Sequence, residues 1–145
     1  MEIAAPKISI RGLKKSFGAK DVLRGVDLDL EAGTSLVVIG ASGSGKSVLL
    51  KCILGIVPAD GGEILIDGVN ILKASTAERE RRTRQIGMLF QGSALFDSLK
   101  VWENVAFRLI YSERKLGILA RQRAVDCLSK VGLARDVGNL WPSEL

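Results

Sequence analysis

Histidine is absent from the 145 residues of this chain. That removes Ser–His and Cys–His nucleophile pairs, and histidine-ligated metal sites, from the chemistry the chain can host by itself. Cysteine is scarce, with only Cys52 and Cys127. Neither belongs to a Cys-x-x-Cys pair, and two thiols make no disulfide framework, so both read as small core residues. No apolar run approaches the ~18 residues of a membrane-spanning helix. The first six residues, Met1 to Pro6, lack the basic and apolar regions of a secretion signal, and the expected compartment is cytosolic. Repeats and low-complexity tracts are also missing.

The remainder is ordinary for a water-soluble globular protein: 47% apolar and 26% charged residues, in a chain long enough for one domain with a real core. Lysine and arginine outnumber acidic residues 21 to 16, for a net charge of +5. Such a balance can signal an anionic partner. Here much of the excess sits in Arg79 to Arg84, RERRTR, which reads as the solvated face of a helix. No nucleic-acid motif accompanies it, so no nucleic-acid partner is expected.

Residues Gly40 to Ser47 read GASGSGKS and fit the G-x-x-x-x-G-K-[ST] loop that wraps a nucleotide triphosphate tail. The glycines Gly40, Gly43 and Gly45 permit turns that a Cβ would block. Successive N–H groups of Ala41, Ser42, Gly43 and Ser44 can then face phosphate oxygens as an anion nest. Lys46 would reach the β- and γ-phosphates, and the Ser47 hydroxyl would take a Mg²⁺ position. The flanks match this context. Ser35-Leu36-Val37-Val38-Ile39 is a short apolar, β-branched run of the kind that forms a buried strand. Val48 to Leu54 suits a helix whose N-terminus would face the phosphates.

Around this unit, Ile8, Ile10 and Leu13 alternate with polar residues, and Val26 to Leu30 alternate more strictly, as half-buried strands do. Ser16 to Asp21 between them reads as a polar turn bearing one aromatic, Phe17. Pro58, Gly61 and Gly62 form a turn cluster, and Glu63 to Gly68 read as another strand and turn. The opening third therefore predicts antiparallel strands beside a strand–loop–helix. Ser75 to Glu78 fit a capping box before a short basic helix. Ile86 to Phe90 form a second buried-strand candidate. Beyond it the pattern turns helical: Val101, Val105 and Leu109 share one face, and Ala120, Ala124, Cys127, Leu128 and Val131 form a stripe that ends at Gly132.

In this order the residues resemble the nucleotide-binding subunit of an ABC transporter, over almost the whole chain. The resemblance implies an α/β, P-loop NTPase fold of ABC type, present in part. A nucleotide-binding core with an antiparallel β subdomain would occupy residues 1–91, and a helical subdomain residues 92–145. It implies ATP and Mg²⁺ as cofactors, with Gly40 to Val48 on the phosphates and Lys46 as the catalytic cation. Phe17 lies where the family places an aromatic that stacks on adenine. The family usually has Tyr there, and Phe keeps the π-face while dropping the hydroxyl. Gln91 matches the glutamine that helps hold Mg²⁺ and the attacking water and relays nucleotide state to the membrane subunits. Val48 stands where most relatives carry Thr. Gln85 to Phe107, QIGMLFQGSALFDSLKVWENVAF, is similar to the ATPases of mammalian-cell-entry (Mla-type) systems, which move phospholipids and other hydrophobic molecules across the bacterial envelope.

The family's partners are a transmembrane permease and a second ATPase subunit, and its place is cytoplasmic, on the inner face of the membrane. The chain ends at Trp141-Pro142-Ser143-Glu144-Leu145, where the family's signature motif would begin, before its acidic Mg²⁺-binding strand end, catalytic glutamate and switch histidine. The expectation is a truncated copy that binds ATP weakly and does not hydrolyse it alone. Two other readings stand beside this one: a soluble ABC-type factor acting on ribosomes or DNA, and a non-catalytic nucleotide-binding remnant.

Overall fold

The computed structural model describes residues 5–90, 95–112 and 117–145. They fall into two compact units, Met1–Met88 and Leu89–Leu145. The expected junction between residues 91 and 92 lies outside the described residues.

The first unit is built on a four-stranded antiparallel sheet in the order β2-β1-β3-β4, with β1 Ile8–Phe17, β2 Lys20–Leu30, β3 Gly61–Ile66 and β4 Val69–Asn70. The β1–β2 hairpin runs from Ile8↔Leu30 to Phe17↔Lys20. Its turn is only Gly18–Ala19, so Ser16, Phe17, Lys20 and Asp21 belong to strands rather than to the expected six-residue turn. The hairpin is irregular. β1 carries an extra residue between Ile10 and Leu13, and β2 carries extras at Gly25 and Val22. Each bulge shifts which face the next side chain takes. That is why the alternation legible at Val26, Leu28 and Leu30 does not extend to Leu23, which is nonetheless buried.

Ile10, Leu13, Leu23, Ile64 and Ile66 from the sheet meet Leu49, Cys52 and Ile53 of α1 (Lys46–Ile53) and Ile71. This is the core of the unit. Cys52 is 1% exposed, and burial pushes its thiol above the ordinary range, so it packs and does not react. Gly62 marks where β3 passes under the β1 bulge. Its φ is +92°, and a Cβ there would lie 2.5 Å from the Gly12 carbonyl oxygen and 2.6 Å from that of Arg11.

Helix α2 (Thr76–Thr83) buries no residue, as expected for a solvated basic helix. Only half of the capping box forms. Ser75 Oγ accepts from the Glu78 N–H at 3.3 Å, but the Glu78 carboxylate turns to Arg81 (2.8 and 2.9 Å) and Arg82 (2.9 Å). These hydrogen bonds, Arg81 first, pull the Glu78 carboxyl down to about 2.

Two strand expectations fail. Ser35 to Ile39 and Ile86 to Phe90 join no ladder among the described residues, and although Ile86 packs against the core, several of their apolar side chains are exposed: Val37 80%, Ile39 87% and Leu89 95%. A strand is stabilised by its neighbours' hydrogen bonds and by cover on its faces. The apolar composition is right for a buried strand, but neither segment hydrogen-bonds into a sheet among the described residues.

The second unit is helical: α3 Val101–Val105, α4 Phe107–Tyr111 and α5 Gly117–Lys130, with 3₁₀ turns at Arg135–Asn139 and Pro142–Glu144. Its core is made of small residues, Ala106, Ala120 and Ala124, flanked by Trp102, Leu109 and Ile110. The α5 stripe narrows to Ala120, Ala124 and Leu128, while Cys127 and Val131 are exposed. Cys127 is therefore not a core residue. Nor does Val105 share a buried face with Val101, because the helix breaks at Ala106 and leaves Val105 43% exposed. Asn104 clamps the segment before α3. Its Oδ1 accepts from the Phe96 N–H at 2.8 Å, and its Nδ2 donates to the Phe96, Leu99 and Lys100 carbonyls at 3.0–3.1 Å.

Two outcomes follow from these contacts. Gly62→Ala meets backbone carbonyls that cannot yield and loses about 3 kcal/mol or more of unfolding free energy. Gly68→Ala, also at positive φ (+75°) but in open space, loses only about 1 kcal/mol. Urea denaturation of the two variants reads the difference. The folded Glu78 carboxyl lies below its ordinary value of 4.5, so its contribution is complete above about pH 4.5 and declines as pH falls toward 2. Thermal melts between those values should show a loss that Glu78→Gln flattens.

Candidate functional site

The GASGSGKS stretch forms a tight loop that ends directly in α1. The Ser44 N–H donates to the Ala41 carbonyl at 3.2 Å, closing a turn over Ser42 and Gly43. Gly45 is the N-cap of α1 at φ +100°, a left-handed conformation that glycine adopts without strain. It is also the loop's buried point. A Cβ at Gly45 would sit 3.1 Å from Leu23 Cδ2, 3.1 Å from Val22 Cγ1 and 3.2 Å from the Val22 carbonyl oxygen. The bulged residue of β2 thus presses on the backbone of the loop. Gly40 is close to its own loop, where a Cβ would lie 2.8 Å from Ser44 Oγ.

No side chain caps the start of α1, and its first turn holds no acidic residue. The N–H groups of Lys46, Ser47 and Val48 therefore face outward with the positive end of the helix dipole. Lys46 Nζ donates back to the carbonyls of Gly40 (2.7 Å) and Ala41 (2.9 Å), which holds an ammonium across the mouth of the loop. Ser47 is exposed beside it, and Val48 turns inward to pack against the core. Backbone donors, one cation and a hydroxyl thus sit together at the start of α1, groups of the kind that suit a polyphosphate.

Beside Gly43 and Ser44 of the loop lies an open hollow of about 380 Å³, lined also by Lys20, Asp21, Val22 and Arg24. Phe17 is the cross-strand partner of Lys20 at its edge. It is 50% exposed and takes no part in the core cluster. Lys20, Val22 and Arg24 stand at alternate positions of β2 but carry no sequence motif that would mark them as site residues. Gln91 lies outside the described residues. Among the described residues no group of three or more His, Cys, Asp and Glu could hold a metal. No described helix is long and apolar enough to cross a membrane.

Residues 23–142 match the family model described as ABC transporter. The chain is 40% identical, over 89% of its length, to the "Probable ribonucleotide transport ATP-binding protein mkl" of Mycobacterium leprae (strain TN). It is 41% identical over 95% to "Protein TRIGALACTOSYLDIACYLGLYCEROL 3, chloroplastic" of Arabidopsis thaliana, and 39% identical over 95% to the "Methionine import ATP-binding protein MetN" of Rhizobium johnstonii. It spans only 37%, 39% and 38% of these relatives' own lengths. Among solved structures it resembles the dimeric ATP-binding cassette MJ0796 in a post-hydrolysis state bound to ADP and Pi. The TM-score is 0.80 at 30% identity, over 95% of this chain and 62% of that one. The partial P-loop NTPase architecture, with its antiparallel sheet and helices, is the one these proteins share, and the chain belongs to the ABC transporter family, within its ATP-binding domain.

Proposed function

We propose that this chain is the ATP-binding part of an ABC transporter, with the nucleotide held on the Gly40–Ser47 loop. The observation that carries the reading is the loop itself: three uncapped N–H groups at the start of α1 beside an ammonium held 2.7–2.9 Å from two loop carbonyls. In this reading Lys46 exchanges those carbonyls for the β- and γ-phosphates. The N–H groups of Gly43 to Val48 take the remaining phosphate oxygens, Ser47 Oγ joins Mg²⁺, and Phe17 stacks on the base. Gln91 is the proposed second ligand of Mg²⁺. Bound Mg²⁺ would neutralise charge on the phosphates, so this chain's share of the chemistry is positioning and electrostatic stabilisation.

The solved relative is dimeric, which supports a homodimer of such subunits. The transport names of the relatives support a transmembrane permease as the second partner and a place on the inner face of the membrane. The cargo proposed is a phospholipid or similar hydrophobic compound. It rests on the likeness of Gln85 to Phe107 to the mammalian-cell-entry class, and one relative is named for trigalactosyldiacylglycerol. Others are named for ribonucleotide and methionine transport. Binding by this chain alone is proposed to be weak, because Ser35 to Ile39, which lead into the loop, have no ladder to hold them. A factor acting on nucleic acid gains no support from the basic helix, since Arg81, Arg82 and Arg84 are ion-paired to Glu78, Asp67 and Glu80.

Lys46→Ala should weaken Mg-ATP binding about 10- to 100-fold, the value of a charge-assisted hydrogen bond to phosphate, with an unchanged circular dichroism spectrum. Calorimetric titration measures it, and an unaltered affinity overturns the reading. For the cargo, phospholipid recovered by mass spectrometry from the purified ATPase–permease complex is the expected result. A complex free of lipid but retaining a polar solute rejects it.

A further inference from the structure

Phe17 is an aromatic ring left half exposed at the end of a strand, and such a side chain normally wanders among rotamers. Here the three residues before it are each tied to one side chain's residue, Asp60, in the connection between α1 and β3. The Asp60 N–H donates to the Lys14 carbonyl at 2.9 Å. Lys15 Nζ donates to Asp60 Oδ1 at 2.6 Å, and the Ser16 N–H donates to Asp60 Oδ2 at 2.7 Å. Ser16 is held from its other side as well, its Oγ donating to Asp21 Oδ1 at 2.7 Å, and Asp21 lines the hollow beside the loop.

Lys15 is the sole buried charged or polar residue among those described, 9% exposed. Burying an ammonium is expensive even when it is paired, and such pairs are poor evidence for added stability. The Asp60 carboxyl, its pKa lowered first by Lys15 and then by the Ser16 N–H, stays ionised at neutral pH. The ammonium so fixed stands 5.3 Å from the centroid of the Phe17 ring, within the range of a cation–π contact.

We infer that Lys15 and Asp60 are positioning residues for Phe17: their ion pair sets the ring, with a cation on one face, so that a purine base stacks on the other. The inference rests on the nucleotide reading above. It goes beyond it in assigning to a buried ion pair some 45 residues apart in sequence the orientation of the base-recognition surface, and hence part of the preference for a nucleotide over bare polyphosphate.

The test separates base from phosphate. Calorimetry on the purified protein uses two probes, Mg-ATP and Mg-tripolyphosphate. Phe17→Ala should weaken ATP about 5- to 100-fold, the worth of one base on an aromatic platform, and leave tripolyphosphate within about twofold. Asp60→Asn and Lys15→Met should weaken ATP by about 3- to 10-fold, again with tripolyphosphate unchanged. In the Phe17→Ala background neither should cause any further loss. A variant that weakens both probes equally, or whose effect adds in full to that of Phe17→Ala, overturns the inference. Lys15→Met keeps the test open if Asp60→Asn fails to fold, because the buried stem is retained. A wild-type protein that binds neither probe overturns the nucleotide reading itself, whereas binding of both with unaltered ATP affinity in Asp60→Asn and Lys15→Met rejects the positioning role alone.

Discussion

The site depends on one close approach, that of the Gly45 backbone to the bulge at Val22. A Cβ on Gly45 would have only 3.1–3.2 Å to three atoms of β2, less than ordinary van der Waals contact. The hairpin therefore serves as the floor on which the phosphate loop turns into α1. Val22 is the extra residue of β2 at this point, and its side chain and carbonyl oxygen are what meet Gly45. The bulge that obscures the sequence pattern is thus also what lets the hairpin support the loop. It places Lys20, Val22 and Arg24 around the hollow next to Gly43 and Ser44.

Charge is arranged differently in the two places where it matters. At the loop, Lys46 is bonded only to carbonyl oxygens of its own segment, neutral acceptors that an anion can outcompete. At the hairpin end, Lys15 is bonded to a carboxylate and is nearly buried, a pairing that an incoming ligand would not displace. The first ammonium is available for exchange and the second is part of the framework. Arg81, Arg82 and Arg84 in and just after α2 are engaged with carboxylates, pairs that contribute little to stability where exposed but reduce the field that a stretch like RERRTR suggests.

The helical unit shows how a small-residue core constrains its surroundings. Ala106, Ala120 and Ala124 bring the backbones of α3, α4 and α5 close, and the break at Ala106 turns Phe107 back onto Phe96, ring centroids 4.6 Å apart. Phe107 in turn contacts Tyr111 at 4.5 Å. Asn104 then satisfies four backbone groups of the preceding segment at once, so the stretch from Phe96 to Lys100 is ordered by one amide.

Local chemistry was legible in the chain by itself. The spacing of Gly40, Gly45, Lys46 and Ser47 specifies a loop whose purpose is written in its backbone freedom and one cation. Ser75 marks a helix start, Gly132 marks a helix end, and Ala120, Ala124 and Leu128 recur at helical intervals. What depends on neighbours was not legible. Ser35 to Ile39 and Ile86 to Phe90 have the composition of buried strands, yet a strand exists only when another hydrogen-bonds to it, and neither segment joins a ladder among the described residues. Cys127 and Val131 carry apolar character onto an exposed face, because the stripe that packs is set by the width of the partner helix. Most of all, the tie between Lys15, Asp60 and Phe17, and the pressure of Val22 on Gly45, join positions far apart in sequence through bulges and turns. No periodicity encodes such meetings, because they arise only when separate elements are packed into the same volume.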